Sequence, residues 1–389
     1  MKDFSELSPE QVNDIIERYY NGEGAEKLIK EYDLDTHHSY LYKLFPPEIT
    51  DNLCEYCNVP MLKPREAKSS AAYKYDIPVR MYCPKCLHKP YSYCSCDNCL
   101  KKARSKNESM RAKIVKTYSL DYEPIKLSEM SFTTRVFLGA LVRAVVNEDL
   151  YNVLPYTESH KILSPTSELD AVIYKHLRSK HVILVDPSSP LDSFDIKSPD
   201  FPNTFYVFKV KYLLNLSYPT NKKELFDEII SPQFYNPFLM AEEALDIWKT
   251  IALHECLEYL KYRLEAVRFD FTPGEKSNAI FRNLLKDYSV SQIYAIIWHC
   301  ISDASRDFQE HRMSRTQAGN SVVSRCQKYG ERAKHSNWEI AKYSRIRDLP
   351  QSEISLYFFN QVVKIGNKGF DNIPNLSDLG DELIENEES

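Results

Sequence analysis

The chain has 389 residues, a net charge of −5, 43% hydrophobic residues, ten cysteines and nine glycines. Neither GxGxxG nor GxxxxGK[ST] occurs, which argues against an enzyme that binds nucleotides through a glycine-rich phosphate loop. The best candidate for a membrane span, residues 136–146, contains Arg143 and is shorter than the ~20 residues that a span requires, so we expect no membrane association.

The first 47 residues predict three short helices. Ser8, Pro9 and Gln11 supply an N-cap, a proline at the first helical position and a capping-box side chain. Apolar residues then recur at helical spacing before and after a turn at residues 21–24, and a third short helix ends at Pro46.

The stretch LSPEQVNDIIERYYNGEGAEKLIKEYDLDTHHSYLYKLF resembles the helix-turn-helix module of site-specific recombinases and transposases. In that family the third helix reads the major groove. The resemblance therefore implies DNA contacts from the exposed positions Thr36, His37, His38, Ser39, Tyr42 and Lys43. Residues 1–50 contain eleven Asp/Glu against five Lys/Arg, so docking to a protein partner, or a purely structural role, is the alternative for this module.

The next segment contains seven of the ten cysteines. Cys54-x2-Cys57 and Cys83-x2-Cys86 have the spacing of a zinc ribbon. Two thiolates on one tight turn reach the same ion, and a second pair brought in by a hairpin completes a closed tetrahedral site. We therefore expect at least one Zn²⁺ ion here.

A second set of possible ligands follows directly. His88, Cys94, Cys96 and Cys99 fit a zinc site with three cysteines and one histidine, so the segment holds one or two Zn²⁺ ions. Crosswise pairing of the ligands, a spare cysteine or an exposed loop histidine at position 88 are the alternatives. Disulfides are the alternative for the whole cluster, but residues 1–10 do not resemble a secretory signal, so we expect reduced thiols and a cytoplasmic location.

The metal segment and the chain after it are basic, with fourteen Lys/Arg against five Asp/Glu in residues 53–117. Such cations neutralise nucleic-acid phosphates and give an affinity that falls steeply with salt. The expected phosphate contacts come from Lys101, Lys102, Arg104, Lys106, Arg111, Lys113 and Lys116. A solvated linker between domains is the alternative interpretation. Five tyrosines either stack on unpaired bases or form the small core of the ribbon: Tyr73, Tyr75, Tyr82, Tyr91 and Tyr93.

Residues 119–217 predict mixed helix and strand. Helices are expected at 133–146 and from about 164 to 176, and strands at 181–185 and 204–216. This order is typical of a winged-helix variant and equally of a small interaction domain.

The chain beyond residue 217 is mainly helical and includes two candidate sites for chemistry. His254 and Glu258 lie one helical turn apart, but a zincin requires histidine at the second position. His299, Asp303 and Asp307 also recur one turn apart, which makes them candidates for acid–base or metal-dependent phosphodiester chemistry. A salt-bridged helix surface is the preferred interpretation.

A second basic block, residues 306–347, has ten Lys/Arg against four Asp/Glu. Phosphate contacts are expected from Arg312, Arg315, Arg325 and Arg332, and docking of an acidic segment of the same chain is the alternative. Residues 338–343 predict a strand, 353–363 a buried helix, and the acidic residues 371–389 a disordered tail.

These patterns predict an α-rich α+β multidomain protein. The expected parts are a helix-turn-helix-like module (1–47), a zinc ribbon with a basic tail (48–118), a winged-helix-like segment (119–217), a larger helical domain with the second basic block (218–370) and the acidic tail (371–389).

The predicted function is that of a zinc-containing nucleic-acid-binding protein that contacts the phosphate backbone through its two basic blocks. DNA is favoured over RNA as the partner, and a regulatory, mobile-element or defence role is compatible with this chemistry. The alternatives are a protein–protein adaptor scaffold and a nuclease-like effector enzyme.

Overall fold

The computed structural model describes residues 3–71, 80–90, 93–119, 121–145, 152–217, 222–271 and 273–380. The chain divides into two compact units, Met1–Ala112 and Lys113–Ser389. Helices predominate, and the strands form two small antiparallel sheets, which confirms the α-rich α+β class. Within the described ranges, no helix has the length and apolar character needed to cross a membrane.

The first unit begins with helices α1 (Pro9–Tyr20) and α2 (Ala25–Glu31), followed by a 3-10 helix over His38–Lys43. The predicted capping box is present, since Gln11 N–H donates to Ser8 Oγ and Ser8 N–H donates to the Gln11 side chain. The three helices enclose a core of their own: Ile15, Ile16, Tyr19, Leu28, Leu34, Leu41 and Phe45.

One arginine, Arg18, pairs with three of the acidic side chains of this module. Arg18 donates to Asp14 at 3.0 Å, to Glu23 at 2.7 Å and to Glu31 at 2.7 Å, which ties α1 to α2. Hydrogen bonds from Arg18 and Lys27 lower the pKa of Glu23 to about 2. These three carboxylates are therefore held by ion pairs within the module.

The remainder of the unit is a small ribbon followed by a helix. Strands β1 (Glu48–Leu53) and β2 (Pro60–Lys63) pair antiparallel, and Tyr82 extends the pairing through a bridge to Leu62. The ribbon core consists of four buried side chains, Cys54, Met61, Met81 and Cys83. Helix α3 (Lys68–Ala71) follows β2, and helix α4 (Asp97–Tyr118) begins after the last cysteine-rich turn. The residues of α4 from Lys113 onward belong to the second unit.

The second unit contains the three-stranded sheet, in the order β3-β5-β4. Its elements are α5 (Phe132–Val145), β3 (Asn152–Val153), α6 (Ser167–Ser179), β4 (Ile183–Val185) and β5 (Tyr212–Leu214). The strand predicted at 204–216 is confined to β5. Phe205 makes an isolated bridge to Phe194, a turn follows at residues 207–209, and the side chains of Phe205 and Phe208 pack against the core.

The helical part of this unit continues in the same core. Its elements are α7 (Lys222–Ile230), α8 (Pro237–Ala266), α9 (Glu275–Leu284), α10 (Val290–Gln309), α11 (Arg315–His335), α12 (Glu353–Tyr357), a π-helical turn (Phe358–Val362) and α13 (Lys368–Asp371). Tyr259 of α8 stacks on Tyr294 of α10 with ring centroids 3.8 Å apart.

Two predictions for the C-terminal part are wrong. Residues 338–343 form no strand, because among the described residues their backbone meets no partner strand and Tyr343 N–H donates instead to Ser291 O. Residues 371–380 belong to the folded chain, since Leu379 is buried in a 3-10 helix and its carbonyl accepts from the Tyr235 hydroxyl. Residues 381–389 lie outside the described residues.

Candidate metal centres and the basic helix

Both cysteine pairs of the ribbon lie on the same kind of turn. Asn58 N–H donates to Cys54 O at 3.0 Å in the first turn, and Leu87 N–H donates to Cys83 O at 2.9 Å in the second. The donor residue is left-handed in each case, with φ of 50° at Asn58 and 59° at Leu87. Because β1 and the bridge residue Tyr82 lead into these turns, the ribbon brings the two pairs together.

The first cluster consists of Cys54, Cys57, Cys83 and Cys86, whose sulfur atoms all lie within 4.8 Å of one another. Cys54 Sγ and Cys86 Sγ are 3.6 Å apart. Zn–S bonds of about 2.3 Å give a tetrahedron with edges of about 3.8 Å, whereas a disulfide bond is about 2.05 Å long. The cysteines are all free thiols, so the cluster fits a four-coordinate metal ion.

Backbone amides favour the thiolate form of one cysteine in this cluster, Cys83. Burial raises the pKa of the Cys83 thiol, but hydrogen bonds from the backbone N–H groups of Cys86 and Lys85, together with those from the thiols of Cys86 and Cys54, bring the pKa down to about 7. Because a metal binds the thiolate, these donors prepare Cys83 as a ligand.

The second cluster consists of His88, Cys94, Cys96 and Cys99, and its ligand atoms also lie within 4.8 Å of one another. His88 Nδ1 is 3.2 Å from Cys99 Sγ and 4.0 Å from Cys96 Sγ. Lys89 N–H donates to Cys94 Sγ at 3.3 Å. The structure thus places the eight predicted ligands in two sets of four, without crosswise pairing.

Two side chains from the first cysteine turn contact ligands of the second cluster. Glu55 Oε1 lies 3.6 Å from His88 Nε2, and the Tyr56 hydroxyl lies 3.5 Å from Cys99 Sγ. The Tyr56 ring packs edge-on against the His88 imidazole, with centroids 4.9 Å apart. A carboxylate on the ring nitrogen that faces away from a metal fixes the tautomer and orientation of the imidazole. The sequence predictions include neither Glu55 nor Tyr56. The signal that could have identified them is their position between the ligands Cys54 and Cys57.

Helix α4 begins at the second cluster and is exposed along most of its length. Cys99 lies in its first turn, and Ile114 is its one buried residue. A helix that is polar on all sides gains little from packing and is typical of a segment that faces solvent or a charged partner.

The predicted phosphate-binding residues of this helix are therefore accessible. Lys101, Lys102, Arg104 and Lys106 are exposed. Lys102 Nζ lies 3.6 Å from Glu55 Oε2, while the other three have no carboxylate partner in the part of the chain that the structure describes. Farther along, Lys113 and Lys116 are exposed and Arg111 is half-buried.

The third-helix candidates, His37, His38, Ser39 and Lys43, are exposed as well. They lie on the 3-10 helix and the residue before it, which is shorter than an α-helical recognition helix. His37 Nδ1 accepts from Ser39 N–H at 3.3 Å, and His38 Nδ1 is 3.6 Å from Glu26. Of the tyrosines considered for base stacking, Tyr82 is half-buried and Tyr93 exposed, while Tyr73, Tyr75 and Tyr91 lie outside the described residues.

The second basic block is partly neutralised within its own unit. Arg312 and Arg325 both pair with Asp307, at 3.4 Å and 2.6 Å. Arg315 and Arg332 are exposed and have no carboxylate partner among the described residues; the guanidinium of Arg315 lies 5.5 Å from the ring centroid of Phe308.

The candidate catalytic residues have structural partners. His299 stacks on the Tyr329 ring at 5.8 Å, and Asp303 pairs with Arg306. The hydrogen bond from Arg325 lowers the pKa of Asp307. Within the described ranges, these three residues form no metal cluster. Their contacts are those of a salt-bridged helix surface.

Comparison with known proteins identifies no related protein from which a function could be inferred. No family model matches the chain, no curated protein matches it, and no solved structure matches its fold.

Proposed function

We propose that this protein is a zinc-containing nucleic-acid-binding protein whose first unit contacts the phosphate backbone. One observation carries the proposal: an exposed helix with unpaired cations begins directly at a cluster of four metal ligands. The metal would fix the start of the helix, and the lysines and arginine of its first turns would face solvent, where phosphates can reach them.

Zinc is the proposed metal because both ligand sets match its structural sites. A shell of four cysteines, and one of three cysteines with a histidine, leave no coordination position open for a substrate at tetrahedral separation. The ions would therefore stabilise the fold of the ribbon and of the turn before α4. The residues that would hold them are Cys54, Cys57, Cys83 and Cys86 in the first site, and His88, Cys94, Cys96 and Cys99 in the second.

The first basic block supports the proposal more directly than the second. The exposed cations Lys101, Arg104 and Lys106 have no carboxylate partners among the described residues, whereas Arg312 and Arg325 share Asp307. Breaking an ion pair to bind phosphate would reduce the gain in affinity. We therefore assign the main phosphate contacts to α4, with DNA as the favoured partner.

The decisive experiment is fluorescence anisotropy of the zinc-loaded protein with single- and double-stranded DNA and RNA at several salt concentrations. We expect the logarithm of the association constant to fall linearly with the logarithm of the salt concentration. Replacing Lys101, Arg104 and Lys106 together by glutamine should make this salt dependence less steep, by roughly one unit of slope per lost contact.

The matched control replaces Arg312, Arg325 and Lys334 by glutamine, because Asp307 and Asp287 already hold these cations. The salt slope of this control should stay close to that of the native protein. Absence of any binding at low salt would contradict the proposal and leave the adaptor function, with a protein partner, as the better explanation.

A further inference from the structure

The first unit has an open pocket of about 510 Å³, whose lining includes Tyr42 and Lys43 of the predicted third helix and Tyr82 of the ribbon. Its walls come from residues 42–47 at the end of the three-helix module, from residues 63–67 after β2, and from residues 80 and 82 at the ribbon bridge. Pockets for small ligands typically have volumes of about 300–1,000 Å³, so this one is large enough for a single nucleotide.

Basic side chains converge on this pocket although the module beside it is acidic. Lys43, Lys63, Arg65 and Arg80 line it, against one carboxylate, Glu66. Arg65 pairs with Glu48 at 3.0 Å. The other three cations have no carboxylate partner among the residues that the structure describes, and Lys63 is half-buried. Like charges gathered in a concave site raise the local concentration of an anion.

The same pocket offers aromatic surfaces. Tyr42, Phe45 and Tyr82 contribute to its walls. Tyr82 is half-buried, and its backbone is held by two hydrogen bonds to Leu62, at 2.8 and 2.9 Å. Aromatic rings and cations that line the same pocket are the combination that binds an unstacked base together with its phosphate. An inorganic anion would make no use of these rings.

We propose that the pocket binds one nucleotide of a single-stranded nucleic acid, with the phosphate near Lys63 and Arg80 and the base near Tyr82. A base within a duplex is stacked and paired, so it would enter only after being extruded at a cost. This inference rests on the proposed function and adds to it a preference for single strands over duplexes. It also gives the protein a second contact region besides helix α4.

The test is a comparison of two variants with a short single-stranded oligothymidine and a duplex of equal length. Lys63→Met with Arg80→Met keeps the aliphatic stems and removes the charges, and Tyr82→Leu removes the ring. We expect each to weaken single-strand binding about tenfold or more and to change duplex binding by less than about twofold. Lys30→Met, which removes an exposed lysine outside the pocket, should change neither. Unchanged Co²⁺ absorption spectra show that the variants retain the ribbon fold.

The outcomes separate the inference from the proposed function. If the variants lose equal affinity for single strand and duplex, or lose affinity for neither, the proposed nucleotide pocket is refuted while the proposed nucleic-acid binding stands. If the native protein binds neither polymer, the proposed function fails, and thymidine monophosphate then tests the pocket alone. If the native protein binds the mononucleotide and the Lys63→Met/Arg80→Met variant does not, the pocket proposal stands. If the native protein does not bind the mononucleotide, the pocket proposal is refuted.

Discussion

Glu55 and Tyr56 separate the two cysteines of the first ribbon turn, yet their side chains contact the other cluster. Glu55 lies at His88 Nε2, and Tyr56 lies at both His88 and Cys99. The turn that holds one metal therefore also orients ligands of the next. We infer that the two centres are coupled, with the first cluster supporting the second.

Glu55→Gln should weaken metal binding at the second cluster while leaving the first unchanged. Loss of an outer-shell carboxylate on a ligating histidine typically lowers metal affinity about 10- to 100-fold. Titration with Co²⁺ distinguishes the centres, because a site of four thiolates and a site of three thiolates with one imidazole give different absorption bands. Lys85 lies between the two cysteines of the second turn and is exposed, so Lys85→Gln is the control. Equal affinity in Glu55→Gln and native protein would show that Glu55 does not position His88.

A half-buried carboxyl in the second unit makes stability depend on pH. Burial raises the pKa of Glu258 to about 8; the charge of Glu255 acts in the same direction and Arg345 opposes it. In the unfolded chain this carboxyl ionises near pH 4.5. Between these values the folded state keeps a proton that the unfolded state has released, so the free energy of unfolding falls as the pH rises.

Glu258→Gln should therefore be neutral near pH 4.5 and stabilising near pH 8, on the order of 2 kcal/mol after allowance for partial exposure. Urea unfolding of both proteins at several pH values measures the difference. Glu265→Gln, an exposed change on the same helix, should show no such trend. Asp170 and His254 titrate in both proteins, with pKa values of about 6 and 4. The charge of Asp170 also raises the pKa of Glu258, so the difference reports Glu258 together with its interaction with Asp170. A constant difference across this range would contradict the assignment.

At the scale of the element, the two cysteine turns allow an internal comparison. Both need a left-handed residue after the second cysteine, and the chain places Asn58 in one and Leu87 in the other. Asparagine adopts this conformation readily, whereas leucine is strained there by about 1 kcal/mol. Leu87 is 64% exposed, so it contributes little packing in return.

Leu87→Asn should accordingly stabilise the metal-loaded ribbon by about 0.5–1 kcal/mol, or a two- to fivefold higher apparent metal affinity. Competition with a chromogenic chelator measures this affinity. The reciprocal change, Asn58→Leu, should lower it by a similar factor. A decrease for Leu87→Asn would mean that the leucine side chain has a contact that matters more than the strain.

Local patterns in the sequence predicted local structure well. The capping box at Ser8 and Gln11, the helices of the second unit and the cysteine spacing all depend on residues close together in the chain. The failures depend on contacts between distant residues. Residues 338–343 have the composition of a strand but no neighbouring strand to pair with among the described residues, and the pairing of Arg325 with Asp307 across two helices removes a cation that charge counting had left free.

At the scale of the molecule, the two units differ in what stabilises them. The second unit has an extensive apolar core that includes Trp248, Tyr294 and Phe358, all fully buried. The hydrophobic core of the ribbon in the first unit consists of only four buried side chains among its described residues, of which Cys54 and Cys83 are proposed metal ligands. Such a small core does not fold without additional stabilisation, and structural zinc supplies that free energy on binding.

Removal of the metal should therefore unfold the ribbon and leave the second unit intact. In hydrogen exchange after treatment with a chelator under reducing conditions, peptides from residues 48–66 and 80–90 should lose protection, while those from α8 and α10 should keep it. Cys83→Ser should reproduce this pattern without chelator, because it removes a ligand of the first cluster.

Cys94→Ser is the counterpart of Cys83→Ser and tests whether the first metal centre depends on the second. It removes a ligand of the second cluster alone, so the ribbon should stay protected while exchange increases in the first turn of α4. Loss of protection throughout α8 and α10 after chelation would contradict independent stabilisation of the units, and full protection of the ribbon would refute its dependence on metal. Because α4 carries the proposed phosphate contacts, its change in Cys94→Ser should be accompanied by weaker nucleic-acid binding, which connects the metal to the function.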